Sequence, residues 1–127
     1  MSGTEHLQKH QIHVWVGTYT GDDDTWSHYF DQDEYGADCG FCTDTGMEWF
    51  DYDFFAEYNA GEVLKVEDVL LEVPFSEQFE DELFAACLQY GVKRATHCVS
   101  LMDFDGSAKP GQAYNQLVYV GAFKAMA

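Results

Sequence analysis

The chain has 127 residues and a mass of 14.4 kDa, which is the length of one domain. It contains 23 Asp and Glu but only 6 Lys and Arg, and this net charge of -17 argues against direct binding to nucleic acid or to an anionic membrane surface. Aromatic residues make up 17% of the chain, which argues against disorder. We expect a flexible polar tail over residues 1–10 and a single domain over residues 11–127.

The N-terminal half predicts one strand followed by short helices. Gln11–Thr18 is rich in β-branched and aromatic residues and indicates a strand. Asp22–Asp24 supply an N-cap and first-turn acids for a helix that would extend to about Gln32. Several glycines interrupt the following segment, where we expect short helical turns near Cys39–Thr43 and Phe50–Tyr58.

The C-terminal half predicts two helices and then two strands. Val63–Leu71 has helical spacing, and a second helix would begin at Ser76 and end at Gly91. Ala95–Phe104 and Gln116–Phe123 alternate as strands and are expected to form an antiparallel hairpin. Strict alternation in the last strand would place four residues on one face: Leu117, Tyr119, Gly121 and Phe123.

These elements predict an α+β fold. Its antiparallel sheet would include the N-terminal strand and the C-terminal hairpin, and the helices would pack on one face. The N-terminus lacks the basic start and apolar stretch of a signal peptide, and no apolar run is long enough to span a membrane. We therefore expect a cytoplasmic protein whose four cysteines are reduced.

The charge is concentrated between Lys9 and Lys65, where 13 acidic residues occur with no Lys or Arg over 55 residues. One interpretation is a solvated face that aids solubility. The other is a surface that meets a basic partner, which would relieve the repulsion between the carboxylates. Aromatic residues in the same segment favour a protein partner, because aromatic side chains act as anchors at protein interfaces.

Cys39-Gly40-Phe41-Cys42 has the spacing of a redox or zinc motif. The neighbouring Asp38 and Asp44 would raise the thiol pKa, which disfavours a reactive thiolate. A zinc site would need two more ligands, which the chain does not place nearby, so ordinary packing of the thiols is favoured. The chain also lacks a phosphate-binding loop or a nucleophile elbow, and we expect neither an enzyme nor a cofactor or metal.

Several short motifs together resemble one family. They are His13–Thr18, Phe41–Gly46, Trp49–Phe54, Cys98–Gly106 and Val118–Phe123. In this order they are similar to the immunity protein 22 family of bacterial polymorphic toxin systems, over about residues 12–123. The resemblance implies a small cytoplasmic α+β protein that binds and neutralises a cognate toxin domain and has no activity of its own. It does not identify the toxin.

An acidic immunity protein suits a basic toxin, such as a nuclease, because its carboxylates would occupy positions otherwise taken by phosphates. We expect acids to steer association and Trp26, Tyr35 and Trp49 to supply anchors. The candidate toxin-binding residues are Asp22, Asp23, Asp24, Trp26, Asp31, Asp33, Glu34, Tyr35, Trp49, Asp51 and Asp53. A small thiol-redox or metal-binding protein that uses Cys39 and Cys42 is the alternative. Both a monomer and a homodimer are compatible with the sequence.

Overall fold

A five-stranded antiparallel sheet forms the centre of the fold in the computed structural model, which describes residues 7–127. The spatial order of the strands is β2-β3-β1-β5-β4. Their bounds are β1 Lys9–Gly17, β2 Phe55–Lys65, β3 Arg94–Met102, β4 Ala113–Tyr114 and β5 Leu117–Met126. The predicted α+β class is confirmed, and the N-terminal strand lies at the centre of the sheet.

Five short α-helices connect and cover the strands. They are α1 Asp23–Tyr29, α2 Gln32–Tyr35, α3 Gly40–Thr45, α4 Val66–Leu70 and α5 Glu80–Gln89. The prediction of helical turns across Phe50–Tyr58 is wrong beyond a 3-10 turn at Tyr52–Phe54, because β2 begins at Phe55. Residues from Phe55 onward instead pair with β3, and this long-range pairing overrides their local pattern. The same strand includes Val63–Lys65, so the helix predicted over Val63–Leu71 begins only at Val66.

Helices cover both faces of the sheet, rather than the single face expected. Val14 and Val16 of β1 face a cluster built with α4 and α5, through residues such as Val69 and Leu83. Trp15, between them in sequence, faces an aromatic cluster built with α1 and α3, through residues such as Phe41. The reason is that β1 is apolar on both faces, and each face must be removed from water.

The predicted hairpin between β3 and β5 is wrong, because these two strands are not neighbours. The C-terminal hairpin consists of β4 and β5 instead. β1 lies between β3 and β5 and pairs with both along most of its length. This central position gives the backbone of β1 hydrogen-bonding partners along both edges. The N-terminal strand therefore fills the position between β3 and β5.

A β-bulge in β5 changes which residues share a face. Val14 is opposite Gly121, whereas Trp15 is opposite Tyr119, so Val120 is the extra residue. Gly121 has a φ of 126°, a region that favours glycine. Because the bulge shifts the alternation by one residue, Tyr119 lies in the aromatic cluster and Phe123 lies in the α4–α5 cluster. The prediction that these residues share one face is therefore wrong.

The predicted tail over residues 1–10 falls partly on residues 1–6, which lie outside the described part of the chain. β1 begins at Lys9, where Lys9 pairs with Met126 and His10 pairs with Ala125. The strand thus starts earlier than the sequence pattern indicated. The reason is that β5 extends to Met126 and offers backbone partners to these polar residues.

His97 of β3 lies within the aromatic cluster, although it is a titratable residue. It is buried, its ring lies 4.5 Å from the ring of Trp26, and its Nδ1 lies 2.6 Å from the hydroxyl of Thr96. Burial lowers the pKa of His97, and the charge of Asp23 opposes this effect only partly. The imidazole therefore packs in its neutral form at neutral pH.

The first prediction concerns Gly121 at the bulge. Replacing Gly121 with Ala should lower the free energy of unfolding by about 1–3 kcal/mol, because an L-residue is strained at this φ. Urea unfolding measures the change. Ala122→Ser, at the neighbouring exposed position of β5, is the control. If the two variants lose equal stability, strain at the bulge is not the cause.

The second prediction concerns the pH dependence of stability. The unfolded chain has an ordinary histidine pKa near 6.5 and takes up a proton before folded His97 does. The free energy of unfolding should therefore fall as pH decreases from about 7.5 to 5.5, and His97→Gln should reduce this dependence on pH. Urea unfolding at both pH values measures the free energy of unfolding, with His28→Gln at an exposed site as the control. Equal slopes in the wild type and His97→Gln would contradict the prediction.

Candidate functional site

Two parts of the predicted acidic segment, α1–α2 and residues 48–54, lie side by side. Tyr52 connects them: its hydroxyl donates a hydrogen bond to the backbone carbonyl of Phe30 at 2.8 Å and accepts one from the backbone N–H of Gln32 at 3.1 Å. The segment 48–54 therefore lies against the α1–α2 junction. We call α1, α2 and residues 48–54 the acidic surface.

Some of the predicted acids hold local structure. Asp22 accepts a hydrogen bond from the backbone N–H of Thr25 at 2.7 Å and caps α1. Asp31 caps α2 in the same way, through the N–H of Glu34 at 3.1 Å. Asp51 accepts from the N–H of Asp53 at 2.9 Å and orders the 3-10 turn. These carboxylates satisfy N–H groups that a helix end leaves without partners.

The remaining predicted acids are exposed to solvent. They are Asp23, Asp24, Asp33, Glu34 and Asp53. Within residues 7–127, the single contact within 4 Å between basic and acidic side chains is that of His10 with Asp103, which lies outside the acidic surface. The charge of the acidic surface is therefore balanced by solvent ions and is available for long-range attraction.

The three predicted aromatic anchors differ in exposure. Trp26 is only 7% exposed, packs in the aromatic cluster, and donates from its indole Nε1 to the Glu57 carboxylate at 3.3 Å. Tyr35 is 41% exposed and Trp49 is 64% exposed. Tyr35 and Trp49 can therefore contact a partner without refolding, whereas Trp26 contributes to the core.

The structure adds a cleft that the sequence did not reveal. It has a volume of about 230 Å³ and lies between residues 47–54 and residues 101–105. Its exposed wall includes Trp49 and Phe54, and its acidic residues are Asp51, Asp103 and Asp105. The motif Asp103-Phe104-Asp105-Gly106 was recognisable as a turn, but only the pairing of Phe55 with Leu101 brings this turn beside residues 47–54.

A buried glutamine positions the segment that carries Trp49. Gln32 accepts a hydrogen bond from the backbone N–H of Phe50 at 2.9 Å and donates one from its side-chain amide to the Phe50 carbonyl. Because Gln32 is buried, both bonds form away from water, where an unmade bond would be costly. Gln32 is a positioning residue that sequence analysis missed.

A close contact at Gly106 positions the other wall. A Cβ added at Gly106 would lie 2.7 Å from the carbonyl oxygen of Thr45 and 2.6 Å from the side chain of Met47. The backbone N–H of Ser107 donates to the same Thr45 oxygen at 2.7 Å. Only glycine allows this approach, which clamps the turn after β3 to the end of α3.

Cys39 and Cys42 lie inside the aromatic cluster as free thiols. The N–H of Cys42 donates to the sulfur of Cys39 at 3.2 Å, in an N-cap arrangement at the start of α3. Burial, together with Cys39, raises the pKa of Cys42 to about 12, which keeps the thiol protonated at neutral pH. Within residues 7–127, no three His, Cys, Asp or Glu side chains converge as metal ligands.

None of the helices described is both long enough and apolar enough to cross a bilayer. Searches of curated proteins and of solved structures found no match to the chain. The family model described as Immunity protein 22 matches residues 12–125, which include every strand of the sheet except the first residues of β1 and the last residue of β5. The chain therefore belongs to the Immunity protein 22 family.

Proposed function

We propose that this protein binds and neutralises a cognate toxin domain of a bacterial polymorphic toxin system. The family match over residues 12–125 carries the proposal, because it indicates an immunity function and an inhibitor rather than an enzyme. The four free, buried thiols fit a reducing compartment, and we place the protein's action in the cytoplasm.

The acidic surface supports a basic toxin as the partner. Exposed carboxylates on α1, α2 and residues 48–54 would attract a basic groove, and exposed Trp49 and Tyr35 would contact it. A nuclease has such a groove, because its substrate is a polyanion. In this proposal the carboxylates take the place of substrate phosphates, and nucleic acid itself is not a ligand.

The thiol-redox or metal-binding alternative receives no support from the geometry of Cys39 and Cys42. A redox thiol needs access to its substrate and a lowered pKa. Here both sulfurs are buried among aromatic rings, and burial raises the pKa of Cys42. The pair fits a structural role at the start of α3.

The proposal is tested by identifying the partner and measuring protection. Tagged protein is incubated with lysate of the source organism at low and high salt, and retained proteins are identified by mass spectrometry. The retained candidate is then expressed in growing cells with and without this protein. We expect one basic protein that is retained at low salt and whose toxicity is abolished by co-expression. A retained partner that is not toxic, or a toxicity that co-expression leaves unchanged, would contradict the proposal.

The third prediction concerns electrostatic steering by the acidic surface. Four exposed acids that do not serve as caps are neutralised together: Asp23→Asn, Asp24→Asn, Asp33→Asn and Glu34→Gln. We expect the association rate with the toxin to fall by about tenfold or more and its salt dependence to weaken, with little change in the dissociation rate. Stopped-flow or surface-based kinetics at several salt concentrations measures both rates.

The matched control removes the same charge from the other side of the sheet. It carries four changes on α4 and α5: Glu67→Gln, Asp68→Asn, Glu80→Gln and Asp81→Asn. Its association rate should stay within a few-fold of the wild type. An equal fall in both variants would mean that net charge, rather than the acidic surface, governs association.

A further inference from the structure

The cleft between residues 47–54 and 101–105 combines exposed aromatic side chains with carboxylates. Trp49 is 64% exposed and Phe54 is 51% exposed, and both line the cleft. Three of its lining residues are acidic, namely Asp51, Asp103 and Asp105, and none is Lys or Arg. Exposed aromatic side chains that line one cleft and are rimmed by polar residues are a feature of interaction sites.

This combination favours a cation that carries its own apolar or planar surface. The face of an aromatic ring attracts a cation, most strongly in the case of Trp, and carboxylates nearby add charge pairing. At about 230 Å³, the cleft is smaller than a typical small-molecule pocket of about 300–1,000 Å³. Its size therefore fits one inserted side chain better than a metabolite.

Arginine fits these walls better than lysine. Its guanidinium is planar, stacks on aromatic faces, and presents five N–H donors that can reach more than one carboxylate. Lysine carries a compact, strongly hydrated charge and would lose more hydration on entering a partly apolar cleft.

The cleft is held in shape before any partner binds. On one wall, Gln32 fixes Phe50, and the Asp51 carboxylate is held by the N–H of Asp53 at 2.9 Å. On the other wall, Asp103 accepts a hydrogen bond from the backbone N–H of Gln11 at 3.0 Å and lies 2.5 Å from Nδ1 of His10. A site whose groups are already oriented loses less entropy when it binds.

We propose that this cleft receives an arginine side chain of the toxin. The guanidinium stacks against Trp49 and Phe54, and its N–H groups donate to the carboxylates of Asp51 and Asp105. Both oxygens of Asp103 are already engaged by Gln11 and His10, so Asp103 holds this wall in place and leaves the pairing to Asp51 and Asp105. This inference rests on the proposed function for the identity of the partner, but the preference of the cleft for a guanidinium can be measured on the protein alone.

The first experiment uses small probes and the free protein. The indole N–H signal of Trp49 is assigned with Trp49→Phe and followed by ¹H–¹⁵N NMR during titration with N-acetyl-arginine amide. N-acetyl-citrulline amide is the neutral isosteric control. We expect a saturable shift of the Trp49 signal with the arginine probe only, while the signal of buried Trp26 stays in place. Equal shifts with both probes, or no saturable shift with arginine, would overturn the proposal.

Variants then separate local pairing from net charge. Asp105→Asn should weaken binding of the arginine probe by about 2- to 5-fold, the range of an exposed ion pair. Asp68→Asn removes the same charge from an exposed site on α4 and should leave the affinity unchanged. An equal loss in both variants would overturn the assignment of Asp105.

The second experiment uses the toxin identified by capture and protection. Trp49→Ala should raise its dissociation constant by at least about 30-fold, the change expected of an interface hot spot. Leu71→Ala is the control, because Leu71 is 66% exposed at the end of α4 and lies outside the cleft. Circular dichroism verifies that both variants fold.

The outcomes separate this inference from the proposed function. If the wild type protects against the toxin and Trp49→Ala binds as tightly as Leu71→Ala, the arginine site is wrong and the immunity function stands. If no toxin is neutralised, the proposed function fails. The arginine and citrulline titrations then decide alone whether the cleft prefers a guanidinium.

Discussion

The fold depends on the need to bury both faces of β1. Val14 and Val16 project to one side of the sheet and Trp15 to the other, and all three are almost completely removed from water. A strand that is apolar on both faces needs a layer of packing on each side and neighbours along each edge. The α4–α5 layer, the aromatic layer and the positions of β3 and β5 on either side of β1 all meet this requirement.

The two layers differ in chemistry, and the difference determines where the acidic surface lies. The α4–α5 layer is mainly aliphatic, with side chains such as Val69 and Leu83. The opposite layer is mainly aromatic, and its short helices are spaced by polar, acidic connections. Because these helices are too short to be stable alone, they depend on the aromatic core beneath them and on caps, which are carboxylates for α1 and α2 and the Cys39 sulfur for α3. Some acids of the acidic surface, such as Asp22 and Asp31, therefore also stabilise the helices that carry it.

The acidic surface shows how one residue type serves two purposes. Asp22, Asp31 and Asp51 stabilise helix starts, and the exposed acids between them add charge that the fold does not use. The unused charge raises the free energy of the isolated protein through repulsion, and a basic partner would remove that cost. In the proposed complex, the cleft beside it would add the short-range contacts that charge alone does not supply, because long-range attraction sets the association rate and buried anchors set the lifetime of a complex.

Much of the local structure follows from the sequence. Asp22 predicted the start of α1, Gly91 predicted the end of the region containing α5, and the alternation of residues 11–18 and 95–104 predicted β1 and β3. These features depend on neighbours within a few residues, through capping, backbone conformation and side-chain alternation. The family and the acidic character of the candidate site were recognisable in the same way, from motifs and composition along the chain.

Other features depend on residues far apart in sequence. The edge strand β2, the insertion of β1 between β3 and β5, and the bulge at Gly121 all arise from pairing between distant strands. The burial of Trp26 and the assembly of the cleft from Trp49, Phe54 and Asp105 have the same origin. The sequence by itself determined the charge, the strand character of β1 and the start of α1, because these are local properties. Only the tertiary structure decided which aromatic side chains are core and which are exposed, because burial depends on what packs above each residue.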